Sequence, residues 1–516
     1  MSEPVNIHMS GVSTQLDTTT SALQNSRIVW VVAAITSLLF VIGNLPWQLD
    51  DYDQAKQAFT SFEMIKEGHW FYQQTPHERV ATKPPLIAWM SAGLFTMTRS
   101  WEVAWRLPSL LAAIVLALVL FRAASSAYGS IAGLVAFSAF GLNLLSPRLA
   151  TLVRTDMPLA LVIFLIGSLI WQKIQKQEVW TPRDRVYLFA LLTASMLIKG
   201  PIAYAFLLPG ILAFQMWRRR YGSGASTHAW SGLWPWIASL AVFLVWVAGG
   251  ILYQPGFFDE VVMREFLGRF GETIHRPQPI YFYLPHLIHK FAPWSLLLIA
   301  IAIFDLVSRR WRITDATRQM DAATLWLLCW SIGGLILMSL IPSKRVDRIY
   351  PVIPPLCLLL GACLHGRVGA FGQRKSTAAL RLDRWIAIAL VFAVLFTGGY
   401  ITWKVTTGIR DRRDALVTFG REARHEAEMR HWRYEVVSTK DEGILLYCRK
   451  TRYIRPAQAV AEWNAGTLDA LVASNDKAAV IMPQLQTGTF YQLKSIEQKK
   501  GEATGYVLIA RRNVKS

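Results

Sequence analysis

Long apolar segments recur along most of this chain, and they constrain its fold more than any other feature. A helix that crosses a membrane needs about 20 apolar residues. Of the 516 residues, 53% are hydrophobic and only 17% are charged, whereas soluble domains carry about 25% charged residues. The pattern predicts an α-helical polytopic membrane protein with candidate spans at 28–46, 104–126, 130–149, 157–174, 186–199, 201–217, 234–253, 284–306, 324–341, 349–365 and 385–404.

Basic loops indicate how the chain crosses the membrane, because Lys and Arg in short loops are retained in the cytoplasm. If the short apolar segment 84–98 does not cross, then Arg218–Arg220, Arg309–Arg312 and the basic loop 367–384 all lie inside. We therefore expect about eleven spans, a cytoplasmic N-terminus, and an outer side that carries the first loop (47–103) and the C-terminal tail. The net charge of +20 then reflects topology and anionic lipid rather than nucleic acid.

Composition divides the chain into three parts. Residues 1–27 are polar and predict a disordered cytoplasmic tail, 28–405 carry the spans, and 406–516 are soluble in character. The last part predicts a small periplasmic α/β domain, with helices at 411–430 and 456–473 and strands at 434–438, 443–448, 478–482 and 506–511. The chain has only four Cys, so we do not expect a disulfide framework. No Cys/His spacing typical of zinc occurs, so we do not expect a zinc site.

Ionisable residues gather at the span ends that topology assigns to the outer face. Such residues are costly beside hydrocarbon, so their gathering at one depth indicates a functional site. The acidic members are Asp50, Asp51, Asp53 and Asp156, and the basic members are Lys83, Lys199, Arg269, Lys344, Arg345 and Arg348.

Each residue also has a simpler interpretation. One aspartate of the first loop can cap a helix, and Asp156, which is followed by Pro158, can do the same. Lys83 alone can be an interfacial lysine. Three carboxylates within four residues repel one another, which raises their pKa and suits a proton acceptor. The cations together predict a phosphate clamp. Divalent metal binding by Asp51 and Asp53 is the lesser alternative, and no cofactor is expected.

Ordered motifs in this chain resemble those of the bacterial aminoarabinose transferases and protein O-mannosyltransferases, which have the GT-C membrane fold. The matching stretches are Asp53 to Trp70, Thr82–Leu86, Arg106–Ser109, Thr155–Leu159, Lys199–Pro201 and Ser343 to Pro355. The resemblance implies about 11–13 transmembrane helices and a periplasmic glycosyltransferase site. The implied donor is a sugar on a polyprenyl (undecaprenyl) phosphate, and the acceptor is lipid A, another glycan or a protein.

The resemblance also assigns residues. It implies that Asp53 is the catalytic acid residue, that Asp156 is the second aspartate, and that Lys83 binds phosphate. Thr82 stands where the family usually has Glu, and Arg348 stands at the family's tyrosine, with Tyr350 two residues on. Asp51, His275 and Tyr350 are candidate supporting residues.

The predicted reaction is inverting displacement at the anomeric carbon of the sugar. Asp53 takes the proton of the acceptor, Asp156 orients the acceptor or stabilises the sugar cation, and the basic residues neutralise the departing lipid phosphate. Two alternatives stay open. The first is a transporter or flippase of an anionic lipid-linked sugar, and the second is an oligosaccharide ligase that uses a diphosphate carrier.

Overall fold

The structure is a computed structural model that describes residues 26–49, 52–221, 227–269, 277–308, 317–318, 320–372, 376–439, 442–486, 490–496 and 505–511. In chain order its first helices are α1 Ser26–Ile42, α2 Tyr52–Glu67, α3 Leu86–Thr98, α4 Trp101–Ala104, α5 Leu107–Tyr128, α6 Ser130–Gly141, α7 Ser146–Ala150, α8 Asp156–Lys176, α9 Pro182–Lys199, α10 Ile202–Tyr221 and α11 Trp234–Tyr253. They are followed by α12 Tyr283–Lys290, α13 Trp294–Ser308, α14 Ala322–Leu340, α15 Ile353–Gly372, α16 Ser376–Arg410, α17 Ala415–Met429, α18 Glu442–Tyr447, α19 Pro456–Asn464 and α20 Asn475–Ile481.

Six helices among the described residues are long and apolar enough to cross a membrane, and each coincides with a predicted span. A bent pair, Ile280–Lys290 with Trp294–Val307, makes a seventh if the two count as one span. Helices α1, α3 and α6 are apolar but shorter. The protein is therefore a multi-pass membrane protein, while the expected count of about eleven spans stays a prediction. The six helices are Trp101–Tyr128, Asp156–Lys176, Trp234–Tyr253, Ala322–Leu340, Val346–His365 and Arg384–Arg410.

Close packing of two antiparallel helices brings distant parts of the chain to one face. A Cβ added at Gly333 of α14 would lie 2.6 Å from the backbone nitrogen of Gly210 of α10. Small residues at such a crossing let the helix backbones approach closely, as is common in membrane proteins. Helix α10 begins just after Lys199 and α14 ends just before Ser343, so the crossing places these two turns on the same side.

The C-terminal part forms a four-stranded sheet with helices on both faces. Its strands are β1 Tyr434–Val436, β2 Ala470–Ser474, β3 Phe490–Lys494 and β4 Tyr506–Arg511, in the order β1-β2-β4-β3. Strand β1 is parallel to β2, and the other two pairs are antiparallel. Side chains alternate along a strand, so Val472 and Leu508 pack towards α2, α17 and α18, while Leu471 and Ile509 pack towards α19 and α20.

Three assignments in this domain were wrong. Residues 443–448, predicted as a strand, lie largely in helix α18, and 478–482, also predicted as a strand, lie largely in helix α20 and the 3₁₀ turn after it. The helix predicted over 456–473 ends at Asn464, and strand β2 follows. The residues of α18 are all buried, and a short, wholly buried apolar run carries no periodicity that separates helix from strand. The strands predicted at 434–438 and 506–511 are confirmed.

Candidate active site

A polar cavity of about 310 Å³ lies where α2, α8, α9 and the segment after α14 meet. Seven cations and four carboxylates line it, so the wall has an excess of positive charge. The charge and volume suit an anionic group with a sugar attached. The lining residues are Tyr52, Asp53, Lys56, Thr82, Lys83, Arg154, Thr155, Asp156, Lys199, Arg264, Glu265, Arg345, Asp347 and Arg348.

Asp53 lies in the first turn of α2, as the sequence predicts. The helix is held in place because Phe59 and Phe62 are buried in a core shared with the C-terminal domain. The Asp53 carboxylate accepts a hydrogen bond from Arg345, and its Oδ2 lies 3.7 Å from Arg154 Nη2. Asp53 is thus surrounded by cations on the wall of the cavity.

The pKa of Asp53 is lowered, whereas the sequence led us to expect a raised pKa. Burial raises the pKa of this carboxyl, but the charges of Lys83, Arg345 and Arg154 outweigh burial and lower the pKa to about 2. Neighbouring cations favour the charged form of an acid. The expectation from crowded carboxylates was wrong because it omitted these cations. Asp50 and Asp51, which would supply the crowding, lie outside the described residues.

Lys83 precedes two prolines and lies in the cavity wall just before α3. Burial lowers the pKa of Lys83 to about 8; the nearby Asp53 opposes this shift, and Lys199 and Lys56 add to it. Beside it, Lys56 Nζ donates a hydrogen bond of 3.3 Å to Thr82 Oγ1. Lys83 is therefore a cation held next to other cations, an arrangement that a bound anion would stabilise.

Asp156 and Lys199 form an ion pair across the cavity, with 2.5 Å between Oδ1 and Nζ. Asp156 is the first residue of α8, and the residue at the cap position, Thr155, makes no side-chain cap hydrogen bond. Lys199 ends α9, and Gly200 follows with φ +74°. The sharp turn predicted at Lys199–Pro201 is confirmed. It presents the lysine to the Asp156 carboxylate.

Arg154 and Asp347 form a buried pair that the sequence reasoning did not assign to the site. Arg154 Nη1 lies 2.5 Å from Asp347 Oδ2, and both side chains are almost fully buried. Arg154 also faces Asp53, so Asp347 fixes a cation beside the candidate base. The sequence feature that could have identified them is that both residues lie inside charged clusters. Arg154 lies two positions before Asp156, and Asp347 lies between Arg345 and Arg348.

The other predicted basic residues differ in their placement. Arg345 and Arg348 both line the cavity, and Arg348 Nη1 donates to the Ser343 carbonyl at 2.7 Å. Lys344 is not among the lining residues; its Nζ donates to the Gln278 carbonyl at 2.8 Å. The backbone at Arg345 is extended (φ -142°, ψ 142°), and successive side chains of an extended backbone point to opposite sides, so Lys344 and Arg345 take different directions. The structure does not bring Lys344 to the predicted clamp.

Tyr350 does not lie on the cavity either. It is fully buried, and its hydroxyl donates to Ser146 Oγ at 2.9 Å. It belongs to the packing of the membrane core. Asp51 and His275 fall outside the described residues, and the side chain of Arg269, at the end of a 3₁₀ turn, also falls outside them. Two cavity residues in the π-helix Phe258–Phe266, Arg264 and Glu265, were not individually predicted.

Within the part of the chain that the structure describes, no group of three or more His, Cys, Asp or Glu side chains is arranged to hold a metal ion. The cavity charges that are present come from Lys, Arg, Asp and Glu side chains. The Lys and Arg side chains among them can bind and neutralise phosphate oxygens through charge-assisted hydrogen bonds.

Sequence comparison relates the chain to known transferases. A family model described as dolichyl-phosphate-mannose-protein mannosyltransferase matches residues 82–248. The undecaprenyl phosphate-alpha-4-amino-4-deoxy-L-arabinose arabinosyl transferase 2 of Pseudomonas fluorescens is 25% identical over 393 residues, which cover 73% of this chain and 63% of that protein. The corresponding transferase of Erwinia tasmaniensis is 23% identical, with 66% and 60% covered. The chain thus spans under two thirds of the length of these relatives.

Structural comparison extends over nearly the whole chain. The crystal structure of ArnT from Cupriavidus metallidurans bound to undecaprenyl phosphate matches with a TM-score of 0.71 at 17% identity, covering 95% of this chain and 99% of that chain. The archaeal oligosaccharyltransferase AglB from Archaeoglobus fulgidus matches with a TM-score of 0.52 at 11% identity, covering 87% and 70%. These structural likenesses show that the chain has the same fold as these two proteins, which is the GT-C fold expected from the sequence.

Proposed function

We propose that this chain is a membrane glycosyltransferase that moves a sugar from a polyprenyl phosphate to an acceptor on the periplasmic side of the bacterial inner membrane. The observation that carries the proposal is a single cavity that joins Asp53 and Asp156 to Lys83, Lys199, Arg345 and Arg348. The names of the sequence relatives and the ligand of the ArnT neighbour support undecaprenyl phosphate as the lipid of the donor.

The basic residues stabilise the leaving group. The sugar–phosphate diester carries one negative charge, and the polyprenyl phosphate that leaves carries a second one after the anomeric C–O bond breaks. Cations already fixed around the phosphate therefore bind the transition state more strongly than the ground state. Lys83, Arg345 and Arg348 are the cavity cations that we assign to this role.

Asp53 is the base, and donor binding activates it. With a pKa of about 2 in the free protein, its carboxylate is a weak proton acceptor. A donor phosphate draws the charge of Lys83 and Arg345 towards itself, so the pKa of Asp53 rises towards a value that suits proton transfer. The acceptor hydroxyl then attacks the anomeric carbon as its proton passes to Asp53, and the configuration inverts.

Asp156 acts mainly through Lys199. Their 2.5 Å pair fixes the ammonium group at the cavity wall, where it can meet a phosphate oxygen. This assignment places Asp156 as a positioning residue, in addition to the role of orienting the acceptor that the motif implies. The acceptor class is lipid A, another glycan or a protein, and we propose that the reaction needs no metal because the cations supply the charge.

The test compares two carboxylate-to-amide variants of one helix. Purified protein receives an undecaprenyl-phosphate sugar and candidate acceptors, and mass spectrometry detects the glycosylated product. We expect Asp53→Asn to lower turnover by about 10²–10⁴-fold. Glu67→Gln, at the far end of α2, should retain turnover because Glu67 contacts Thr451 of the C-terminal domain and not the cavity.

Equal turnover of Asp53→Asn and the wild-type protein would refute the assignment of Asp53 as base. An Asp53→Asn variant that binds donor normally but does not turn over would support it. Product formation only from a diphosphate-linked glycan would instead favour the oligosaccharide ligase.

A further inference from the structure

A second cavity, of about 360 Å³, adjoins the candidate active site and shares Tyr52, Lys56 and Arg264 with it. Tyr52 and Lys56 belong to the same turn of α2 as Asp53, the candidate base. A molecule held in the second cavity therefore lies next to the turn that carries this base. The other described lining residues come from the first loop, the π-helix and the C-terminal domain; they are Thr75, His77, Arg79, Val80, Glu260 and Glu442.

The C-terminal domain contributes Glu442 to this wall, and packing fixes its place. Glu442 is the first residue of α18, and every residue of that helix is buried. The backbone N–H of Leu49 donates to the Tyr447 hydroxyl at 2.7 Å. A Cβ added at Gly443 would lie 2.8 Å from the Leu49 carbonyl oxygen. Helix α18 therefore lies directly against the segment before α2, which places Glu442 beside the start of α2.

The carboxyl group of Glu442 indicates the kind of ligand that suits this cavity. The residue is only 2% exposed, and its Oε2 has no hydrogen-bond partner within the described part of the chain. Burial raises the pKa of Glu442 to about 7, and the charge of Lys56 only partly opposes this shift. A buried acceptor without a partner is costly. A ligand that donates a hydrogen bond to this carboxyl group removes the cost.

The rest of the wall narrows the choice of donor group. Glu260 lies 2.7 Å from Arg264 and 3.6 Å from Arg79, and Lys56 lines the same cavity. A ligand ammonium group would meet these three cations, and a ligand phosphate would meet the carboxyl groups of Glu442 and Glu260. A hydroxyl group both donates and accepts hydrogen bonds, so it suits a wall that mixes carboxyl groups with Lys and Arg.

Tyr52 connects this wall to the active site. Its side chain is 57% exposed, so the ring is available to a ligand. Burial raises the pKa of Tyr52, and the charges of Glu442 and Asp53 add to the shift, because the phenol lies close to both acids. Small-molecule sites combine aromatic rings with a few placed polar groups. Tyr52 therefore gives a sugar ring a surface that leads from Glu442 to Asp53.

We propose that this second cavity binds the acceptor through a neutral sugar, and that Glu442 accepts a hydrogen bond from one of its hydroxyl groups. The inference rests on the proposed sugar transfer and specifies the acceptor as a glycan. The donor phosphate occupies the active-site cavity, and the acceptor sugar presents another hydroxyl group to Asp53 across Tyr52. Glu442 selects the acceptor and does not take the proton that is lost in the transfer.

The first test measures binding without donor, so it does not depend on sugar transfer. Full-length protein in lipid nanodiscs receives methyl glucoside, glucosamine or glucose 6-phosphate, which are neutral, cationic and anionic sugars of one ring size. Ligand-observed NMR measures each affinity in the wild-type protein and in Glu442→Met, which removes both carboxyl oxygens. We expect Glu442→Met to weaken the binding of methyl glucoside about tenfold and to leave the binding of the two charged sugars unchanged.

A matched control and a stability measurement separate a ligand contact from a structural role. Glu422→Met is the control, because Glu422 is exposed on α17 and lines neither cavity. Glu442→Met removes a buried carboxyl oxygen that lacks a partner, so this variant should unfold at no lower temperature than the wild-type protein. A lower unfolding temperature together with weaker binding of all three sugars would show a structural role and overturn the proposal.

The second test uses the acceptor that the glycosylation assay identifies. Glu442→Met should raise the KM for this acceptor about tenfold and leave the KM for the donor unchanged. Equal acceptor KM values in the two proteins would overturn the inference while leaving the proposed function intact. Absence of product from the wild-type protein would refute the proposed function, and the binding test would still decide which ligand the second cavity takes.

The binding test also has outcomes that overturn the inference. These are equal methyl glucoside affinity in the wild-type protein and Glu442→Met, no binding of methyl glucoside to the wild-type protein, and equal losses in Glu442→Met and Glu422→Met. A loss in Glu442→Met confined to glucosamine or to glucose 6-phosphate would overturn the assignment to a neutral sugar.

Discussion

At the scale of single residues, the main result is that the candidate base is paired with cations before any substrate is present. Asp53 contacts Arg345 and faces Arg154. A carboxylate with a pKa of about 2 is charged at any physiological pH but accepts a proton poorly. Catalysis by Asp53 therefore requires that the donor compete for the same cations.

This competition predicts different pH dependences for two kinetic parameters. The profile of kcat/KM reports the free enzyme and that of kcat the enzyme–substrate complex. We expect no acidic decline of kcat/KM from Asp53 above about pH 3, since its pKa is about 2 in the free enzyme. The acidic decline of kcat should appear at a higher pH, because the donor phosphate raises the pKa of Asp53. Coincident acidic limbs would contradict donor-coupled activation.

Lys83 predicts a decline on the alkaline side. Its pKa is lowered to about 8, so the ammonium group is charged below this pH and loses its proton as the pH rises through it. We expect kcat/KM for the donor to fall above about pH 8 in the wild-type protein. Lys83→Arg, whose side chain stays charged, should move the decline to higher pH. An unchanged alkaline limb in Lys83→Arg would show that another group causes the decline.

Gly200 is the residue on which the Lys199 turn depends. Its φ is +74°, and an added Cβ would lie 3.1 Å from the Phe266 ring. We expect Gly200→Ala to lower the free energy of unfolding by about 1–3 kcal/mol and to reduce turnover by displacing Lys199. Gly398→Ala, in helix α16 with no atom within 4 Å of the added Cβ, should be close to neutral. Equal thermal unfolding of the two variants would refute this reading of the turn.

At the scale of elements, the sequence was informative where local chemistry is strong. The helix that contains Asp53 (α2), the start of α8 at Asp156 and the turn after Lys199 could all be predicted from charged and turn-forming residues at the ends of apolar runs. Helix α18 could not be predicted from the sequence. Every one of its residues is buried, so its apolar residues show no helical periodicity, and its burial comes from tertiary packing. Lys344 could not be separated from Arg345 by composition, since only the backbone direction distinguishes them.

Helix α2 connects the site to the C-terminal domain. The Phe62 side chain is fully buried and packs edge-on against Trp101 with ring centroids 5.5 Å apart. We expect Phe62→Ala to lower the free energy of unfolding by about 3–5 kcal/mol. Phe71→Ala should have a smaller effect, because Phe71 is 59% exposed. Comparable thermal unfolding of both variants would show that α2 is not anchored through this core.

At the scale of the whole molecule, the site is assembled from segments far apart in the chain. The distribution of Lys and Arg among the loops predicted that five site residues lie on one face of the membrane, and the structure brings them to one cavity. These residues are Asp53, Lys83, Asp156, Lys199 and Arg345. The Arg154–Asp347 pair was not predicted, because its residues are 193 positions apart and either could equally have been a surface charge. Span patterns predict depth in the membrane but not which side chains meet.

The whole-molecule charge distribution also predicts the response to metal removal. Seven cations line the cavity, and those that we assign to the phosphate supply its counter-charge, so the proposed reaction needs no divalent ion. We expect turnover in excess EDTA to match turnover in its absence. Loss of activity in EDTA that one divalent metal restores would contradict this part of the mechanism. It would favour metal binding by Asp51 and Asp53 of the first loop instead.

Measuring two products in one reaction distinguishes sugar transfer from transport most directly. Protein in liposomes receives an undecaprenyl-phosphate sugar and its acceptor, and free undecaprenyl phosphate and glycosylated acceptor are quantified together. A glycosyltransferase releases them in equal amounts, and Asp53→Asn should release both about 10²–10⁴-fold more slowly. Movement of intact donor across the bilayer, with no free undecaprenyl phosphate formed, would contradict sugar transfer and identify a transporter instead.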